Sequence, residues 1–290
     1  MPDQIPQHYS TEFSTNWIHR VQQTAGRLDP FVEDDAFDGE RKRYDRIGAQ
    51  NSRKRTERKG PTNIIDPALD HRWAYRASFD IGNLLDQDDA RNLGPLVVPT
   101  SDYVRSHANA YHRDSDDIAW QAALDDALTG ELGNTPSPLP AGQKIAVGSP
   151  GSDGLTLAKL ITANQILEDA DLEDEQPRVL CVTARQLSDL LNTTEIKSAD
   201  YNTVKALVNG TIDTFMGFKF VKIKRLRKSG GNVRTLVGWV KGAIKRIKGP
   251  MNSDVSMRKD LSMATQIYSS WNLGAVRIYD EGVVQIDVQE

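Results

Sequence analysis

The sequence predicts an α+β chain that is elongated and carries extended arms, and three observations point to it. Residues 178 to 226 alternate between strand and helix patterns, residues 101 to 129 contain no Pro or Gly, and residues 31 to 94 hold too few apolar side chains to build a core of their own. A length of 290 allows about two domains at ~150 residues each, or one extended molecule. Apolar residues make up 38% of the chain and charged residues 26%, enough for a core but leaner than a compact enzyme. Part of the chain is therefore expected to lie outside any core.

In order, the chain opens on polar, Pro-containing residues and then sets Phe13, Trp17 and Val21 four apart, with Ile18 beside them. This spacing predicts a short amphipathic helix, closed by Gly26 and Pro30, with no sequence neighbour to bury against. It is expected to dock on a distant part of the chain or on another copy.

Between 31 and 94 the anchors Phe31, Phe37, Tyr44, Ile47, Ile64, Ile65, Trp73, Tyr75 and Phe79 are spread among charges. So little burial does not offset chain entropy, and an extended two-stranded arm is expected there in place of a globular domain. Charge is blocked in this region. Four acids fall between Glu33 and Asp38, whereas Arg41, Lys42, Arg43, Arg46, Arg53, Lys54, Arg55, Arg58 and Lys59 face only Asp45 and Glu57. As a nucleic-acid contact this block lacks aromatic interleaving apart from Tyr44. As a subunit contact it has acidic counterparts at 33 to 38, 114 to 126 and 168 to 175, and steering and register are what such blocks supply at interfaces.

After Pro95 and Pro99, Thr100 or Ser101 can cap a helix with Asp102 in its first turn. The uninterrupted run to Thr129 predicts a helix of roughly 45 Å, stopped by Gly130 and without coiled-coil heptads. Tyr103, Ile118, Ala122, Ala123, Leu124, Ala127 and Leu128 supply its apolar contacts. Residues 133 to 153 are rich in Gly, Pro and Ser and read as a surface loop. Leu157, Leu160, Ile161, Asn164 and Leu167 then fall near helical spacing, followed by an acidic loop from Glu168 to Glu175.

Past Pro177, the run Val179 to Val182 reads as a strand buried on both faces. Thr183 with Gln186 forms a capping-box signature, and Leu187, Leu190 and Leu191 mark one helical face. Ser198 can cap a second helix carrying Tyr201, Val204, Leu207 and Val208 and ending at Gly210. Met216-Gly217 suggests a tight turn before a strand from Phe218 to Ile223 that is open to water on one face. Ser229 to Asn232 is a hairpin-type turn, Thr235 to Val240 a strand, and Lys241 to Lys248 a basic stretch. β-favouring residues dominate from Met263 to Val276 and from Val283 to Val288, with Gly274 and the Glu281-Gly282 turn between them.

Site chemistry is sparse, and no catalytic, cofactor or metal residues are assigned. The single cysteine, Cys181, excludes an internal disulfide, and its apolar surroundings make it a buried inert thiol, not a nucleophile paired with His107 or His112. Those two histidines lie five apart, about 140° around a helix, so they share no metal-binding face; with Asp114, Asp116 and Asp117 they read as a solvated face. The acidic trio lacks the calcium-loop pattern, and Gly148, Gly151 and Gly154 lack the Lys-Ser/Thr ending of a phosphate loop. A net charge of -4 argues against wrapping nucleic acid by overall charge. No apolar run approaches 18 residues and the first thirty lack a signal-peptide core, so a soluble protein made inside the cell is expected.

Several stretches also carry a resemblance. "RVLCVTARQLSDLLNTTEIKSADYNTVKALVNGTIDTFMGFKFVKIKRL", "YVRSHANAYHRDSDDIAWQAALDDALTG" and "PTNIIDPALDHRWAYRASFDIGNLLDQDDARNLGPLVVP" resemble the major capsid proteins of tailed bacteriophages. In that family a strand precedes a helix with a Leu-Leu pair, an Asp-Tyr dipeptide opens a helix ending in Gly, and a Gly-Phe turn leads into a strand. Asn272 to Arg277 is similar to the family's last strand pair.

The resemblance implies the Hong Kong 97-like capsid fold. Its parts would be an N-terminal arm (1–30), an E-loop with flanking strands (31–94), a peripheral domain with a long spine helix (95–150), a mainly axial domain (151–250) and strands returning to the peripheral domain (251–290). It implies a non-enzymatic subunit, without cofactor or membrane contact, that assembles with itself into hexamers and pentamers of an icosahedral shell. Partners would be a scaffolding protein, a portal protein, decoration proteins as an option, and packaged double-stranded DNA held without sequence-specific contact. The location would be the virion capsid, assembled in the host cytoplasm. The amphipathic helix starts by Phe13 and leaves no room for a cleaved scaffolding segment, so the scaffold is expected to be separate. The Lys-Asn cross-link of some relatives is not carried over, because its required acid finds no counterpart. Phe13, Trp17, Val21 and the 41 to 59 block are the candidate inter-subunit contacts. Two alternatives stand beside this reading: the shell of an encapsulin-like nanocompartment, and a nucleic-acid-binding protein using the 41 to 59 block.

Overall fold

The computed structural model describes residues 23–48, 50, 52–54, 56–58, 64, 66–85, 102–150, 153–170, 176–192 and 214–290. The helix expected at Phe13, Trp17 and Val21, the caps at Thr100 and Ser101, and the helix expected from Ser198 to Gly210 lie outside the described residues.

In chain order the elements are β1 (Glu33–Ala36), β2 (Arg41–Ile47), β3 (Leu69–Tyr75), β4 (Ala77–Leu85), α1 (Asp102–Leu124), β5 (Ala127–Thr129), β6 (Thr135–Ser137), β7 (Lys144–Ile145), α2 (Leu157–Glu168), β8 (Arg178–Val182), α3 (Ala184–Asn192), β9 (Thr214–Phe215), β10 (Phe218–Lys222), β11 (Lys228–Ser229), β12 (Val233–Val240), β13 (Ile244–Lys248), β14 (Asn252–Arg258), β15 (Ala264–Arg277) and β16 (Val283–Gln289). They form three sheets. One runs β7-β16-β12-β8-β10-β9 with β11 on β12, one runs β1-β13-β15-β14 with β4 on the other side of β15, and one runs β2-β3-β5-β6.

The strand pattern at 179 to 182 becomes β8 in the interior of the first sheet, parallel to β10 and antiparallel to β12. Val179, Leu180, Cys181 and Val182 are all fully buried, as an apolar run flanked by strands on both sides requires. The capping box forms: the Thr183 backbone N–H donates to Gln186 Oε1 at 3.0 Å and opens α3, which turns Leu187 and Leu190 inward. Met216 and Gly217, with φ of 51° and 77°, make the tight turn between β9 and β10. Both central residues take the left-handed region, which a two-residue hairpin turn requires. Helix α2 is capped by Thr156, whose hydroxyl accepts from the Lys159 N–H at 3.3 Å, and buries Leu160, Ala163 and Leu167. Lys159 is fully buried as well; its ammonium donates to the carbonyls of Asp153 and Asp287 at 3.3 and 3.1 Å and so ties α2 to β16. One core joins these layers to Ala119, Trp120 and Ala123 of α1. Each fully buried leucine in it contributes about 1.5–3 kcal/mol.

Several expectations are corrected. The long helix ends at Leu124, so its 23 residues span about 35 Å. Ala127 to Thr129 instead forms β5, and Gly130 (φ 86°) turns β5 into β6. Sequence periodicity cannot detect the cause, which is a cation arriving from far along the chain. Arg277, fully buried, donates to the carbonyls of Ala123 (3.0 Å) and Asp125 (2.7 Å), caps the helix C-terminus and leaves the following residues free to pair with β3.

The expected loop at 133 to 153 contains β6 and β7, with Leu139 and Ile145 buried. The basic stretch 241 to 248 contains β13, and Arg246 in it is fully buried. Gly274 lies inside β15 and does not break it. Strand β14, for which the sequence reading gave no signal, pairs along seven positions of β15, and its side chains are almost all exposed. Lacking burial, it lacks the alternation by which a strand is recognised.

Candidate assembly surfaces

Strands β2 and β3 form an antiparallel hairpin in register from Arg41↔Tyr75 to Ile47↔Leu69. Alternation sorts the basic block onto two faces. Lys42, Tyr44 and Arg46, opposite Ala74, Arg72 and Asp70, face the body of the molecule. There Lys42 pairs with Asp35 at 2.9 Å, and Arg46 pairs with Asp70 at 2.7 Å while donating to the Ile278 carbonyl at 2.6 Å. Tyr44 donates to Asp35 at 2.7 Å; burial, then that bond, pushes its phenol pKa up. Burial would raise Asp70, but bonds from the Thr129 hydroxyl, the His71 N–H and Arg46 bring its carboxyl down to about 2. Arg72 is almost wholly buried and donates to Asp280 at 2.7 Å, a carboxylate it shares with Arg277 at 2.6 Å.

The outward face carries Arg41, Arg43, Asp45 and Ile47 opposite Tyr75, Trp73, His71 and Leu69. Arg41 lies over the Trp73 ring at 4.8 Å, and Arg43 pairs with Asp45 at 2.9 Å. Ile47 and Leu69, directly opposite each other, are both 68% exposed. Among the described residues of the hairpin this is the most exposed aliphatic surface. Arg53, Lys54 and Arg58 are exposed; Arg55 and Lys59, like Phe13, Trp17 and Val21, lie outside the described residues.

The structure divides the block that the sequence presents as one. Its first half is largely matched by in-chain acids, and the acidic cluster at 33 to 38, a candidate counterpart on another copy, is largely matched by in-chain bases. Glu33 pairs with Lys245 (3.0 Å), Asp34 with Arg246 (2.6 Å) and Lys248 (2.7 Å), and Asp35 with Lys42. The parallel register of β1 on β13 sets these acids beside those bases. The solvated face expected on the long helix is also overturned. Asp116 is buried and accepts from the backbone N–H groups of Arg27 (3.0 Å) and Leu28 (3.1 Å), anchoring the segment before β1. His107 is 1% exposed and sits between Asn83 (2.7 Å) and Ser269 (2.9 Å).

A second basic run was not singled out in the sequence, although its spacing is visible there: Lys219, Lys222, Lys224, Arg225, Arg227 and Lys228. Val221, Ile223 and Leu226 are buried beneath it, while Lys222, Lys224, Arg225, Arg227 and Lys228 point outward. Cys181 is fully buried, and burial, then the nearby Asp116 charge, raises its thiol pKa. Among the described residues no group of three or more His, Cys, Asp or Glu is placed to hold a metal ion, and no helix is long and apolar enough to cross a membrane.

The family model described as "Phage capsid protein" matches residues 5–290. No curated protein matches the sequence. Among solved structures, the chain is similar to one from Mycobacterium phage Che8 (17% identity, TM-score 0.71, covering 99% of this chain and 98% of that one). It is similar to the capsid asymmetric unit of cyanophage Pam1 (10% identity, TM-score 0.72, 100% and 99% covered). It is also similar to the capsid of Ralstonia phage GP4 (10% identity, TM-score 0.69, 98% and 96% covered).

Proposed function

Since this chain belongs to the phage capsid protein family, we propose that it is the major subunit of an icosahedral shell that assembles from hexamers and pentamers and encloses double-stranded phage DNA. It is a structural protein of the Hong Kong 97-like fold, not an enzyme. The observation that carries the reading is extent: the family match runs over residues 5–290 and the fold match over 99% of the chain, so the likeness is that of the whole chain and not of one segment.

On this reading the β2–β3 hairpin belongs to the E-loop (31–94) and lies across a neighbouring copy, and α1 is the spine helix of the peripheral domain (95–150). Residues 1–30 form the N-terminal arm, 151–250 mainly the axial domain, and 251–290 the strands returning to the peripheral domain. The exposed Ile47–Leu69 pair supports this assignment, because burial under a neighbour would remove that apolar surface from water. Arms of this kind act by sum: a single millimolar contact is worth about 4 kcal/mol, and a closed shell joins several per copy. Assembly in the host cytoplasm with a scaffolding protein, a portal protein and optional decoration proteins completes the reading.

Electron microscopy of the purified chain, alone and co-expressed with a candidate scaffold, tests it. Closed particles or hexamer sheets are expected, and DNA in native particles selects a virus over a nanocompartment. A dispersed monomer in both preparations, at high concentration and low salt, overturns it.

A further inference from the structure

On a chain of net charge -4, cations gather on one strip beside α1. The segment from Val221 to Lys228 is pinned by its buried side chains Val221, Ile223 and Leu226, so its cations project outward from a fixed backbone. Two of them are braced on the helix and its end: Arg225 pairs with Asp117 at 2.6 Å and donates to the Arg113 carbonyl at 3.1 Å, and Arg227 pairs with Asp125, the residue after the helix. Lys228 reaches Glu290 at 3.3 Å. The guanidinium of Arg27 joins the strip by donating to the Lys222 carbonyl. Lys222 and Lys224 are exposed, and among the described residues no carboxylate pairs with either. In the hairpin Lys42, Arg43 and Arg46 each have an acid within 2.9 Å. Arg53, Lys54 and Arg58 are exposed like Lys222 and Lys224, but no described residue between 50 and 64 is buried, so their backbone has no such anchoring side chains among the described residues.

We infer that the strip formed by Arg27, Lys222, Lys224, Arg225, Arg227 and Lys228 is the surface that faces the enclosed nucleic acid, contacting its phosphate backbone without reading sequence. This rests on the shell reading above, and it assigns to the interior a surface other than the 41 to 59 block. Charge chemistry selects the occupant. Exposed ammonium groups on a rigid ledge suit an extended polyanion whose charges recur every few ångströms, and the absence of aromatic side chains at the exposed positions of 222 to 228 suits a duplex more than unstacked bases. An acidic protein segment is the rival occupant.

The test is lysine acetylation of native DNA-filled particles and of the same particles emptied of DNA, read residue by residue by mass spectrometry. Several-fold protection of Lys222 and Lys224 that disappears on emptying, with Lys54 unchanged, is expected. As a second measurement, the full chain carrying Lys222→Gln and Lys224→Gln is compared with one carrying Arg53→Gln and Lys54→Gln for duplex binding against salt. Loss of two phosphate contacts lowers the slope of log affinity on log salt by about 1.8 in the first variant and leaves the second near the parent. Equal acetylation in filled and emptied particles overturns the inference while leaving the shell reading intact. So does protection that persists in DNA-free particles because of a bound acidic protein. Native particles that contain no nucleic acid overturn the DNA-enclosing reading itself.

Discussion

Arg246 on β13 donates to both carboxylate oxygens of Asp34 on β1, at 2.6 and 2.9 Å, from a side chain with no exposed surface. The same guanidinium reaches Asp29 at 2.6 Å and the Ser115 carbonyl of α1 at 3.2 Å, so one buried cation joins the entry segment, a sheet and the long helix. Removing a partner from such a pair leaves a charge in low dielectric. Asp34→Ala is expected to destabilise the full chain by about 3 kcal/mol, the low end for a buried pair because Asp29 remains. Urea unfolding measures it, and a loss near zero would show that the pair only decorates the fold.

Acid should weaken the same attachments. Burial acts to raise the Asp34 pKa, but bonds from Arg246 and Lys248 prevail and hold it below the ordinary carboxylate value; Asp70 lies at about 2. Lowered carboxyl pKa values give stability that is fully present above the unfolded value of about 3.9 and is lost as pH falls toward the folded values. The expected result is a loss of stability from roughly pH 5 downward that flattens in Asp34→Asn with Asp70→Asn. An unchanged acid limb in that variant would place the sensitive carboxylates elsewhere.

His107 gives a separate, milder window. Its ring donates to Asn83 Oδ1 and accepts from the Ser269 hydroxyl, which lies 3.0 Å from Ser253, so the neutral ring links α1 to β4, β15 and β14. Burial lowers its pKa. The folded state therefore prefers the neutral form, and stability present above the unfolded value of about 6.5 declines as pH falls through it toward the lowered folded value. Thermal unfolding between pH 7 and 5 should show this decline in the parent chain and not in His107→Gln. Parallel curves would remove His107 from the account.

Gly274 is a packing requirement. A Cβ there would lie 2.2 Å from the Tyr75 carbonyl oxygen and 3.0 Å from Ile247 side-chain carbons. Gly274→Ala must push β15 away from the base of the hairpin, at about 1–3 kcal/mol. Denaturation that matches the parent would show that the hairpin base yields freely.

The Ile47–Leu69 pair separates assembly from folding. Ile47→Ser with Leu69→Ser should leave unfolding of the unassembled chain within about 0.5 kcal/mol of the parent, as exposed positions do. Its yield of closed particles should fall sharply, as counted by electron microscopy and sedimentation. Normal particle yield would show that this pair stays in water.

By itself, the sequence determined the elements whose signals are local: the strand at 179 to 182, the Thr183–Gln186 cap, the Met216-Gly217 turn and the inert Cys181 each depend on residues a few positions apart. The resemblance carried by residues 178 to 226 extended this to the fold. Tertiary structure decided what long-range partners control. Arg277 ends the long helix at Leu124 from over 150 positions away, and β1 and β13, far apart in the chain, turn the 33 to 38 acids into partners of Glu33–Lys245 and Asp34–Arg246 type. Charge blocks read along the chain give sign but not pairing. Whether a cation is matched or left facing solvent depends on which strand lies beside it, which is why Lys42, Arg43 and Arg46 of the hairpin proved matched, while Lys222 and Lys224 stand open.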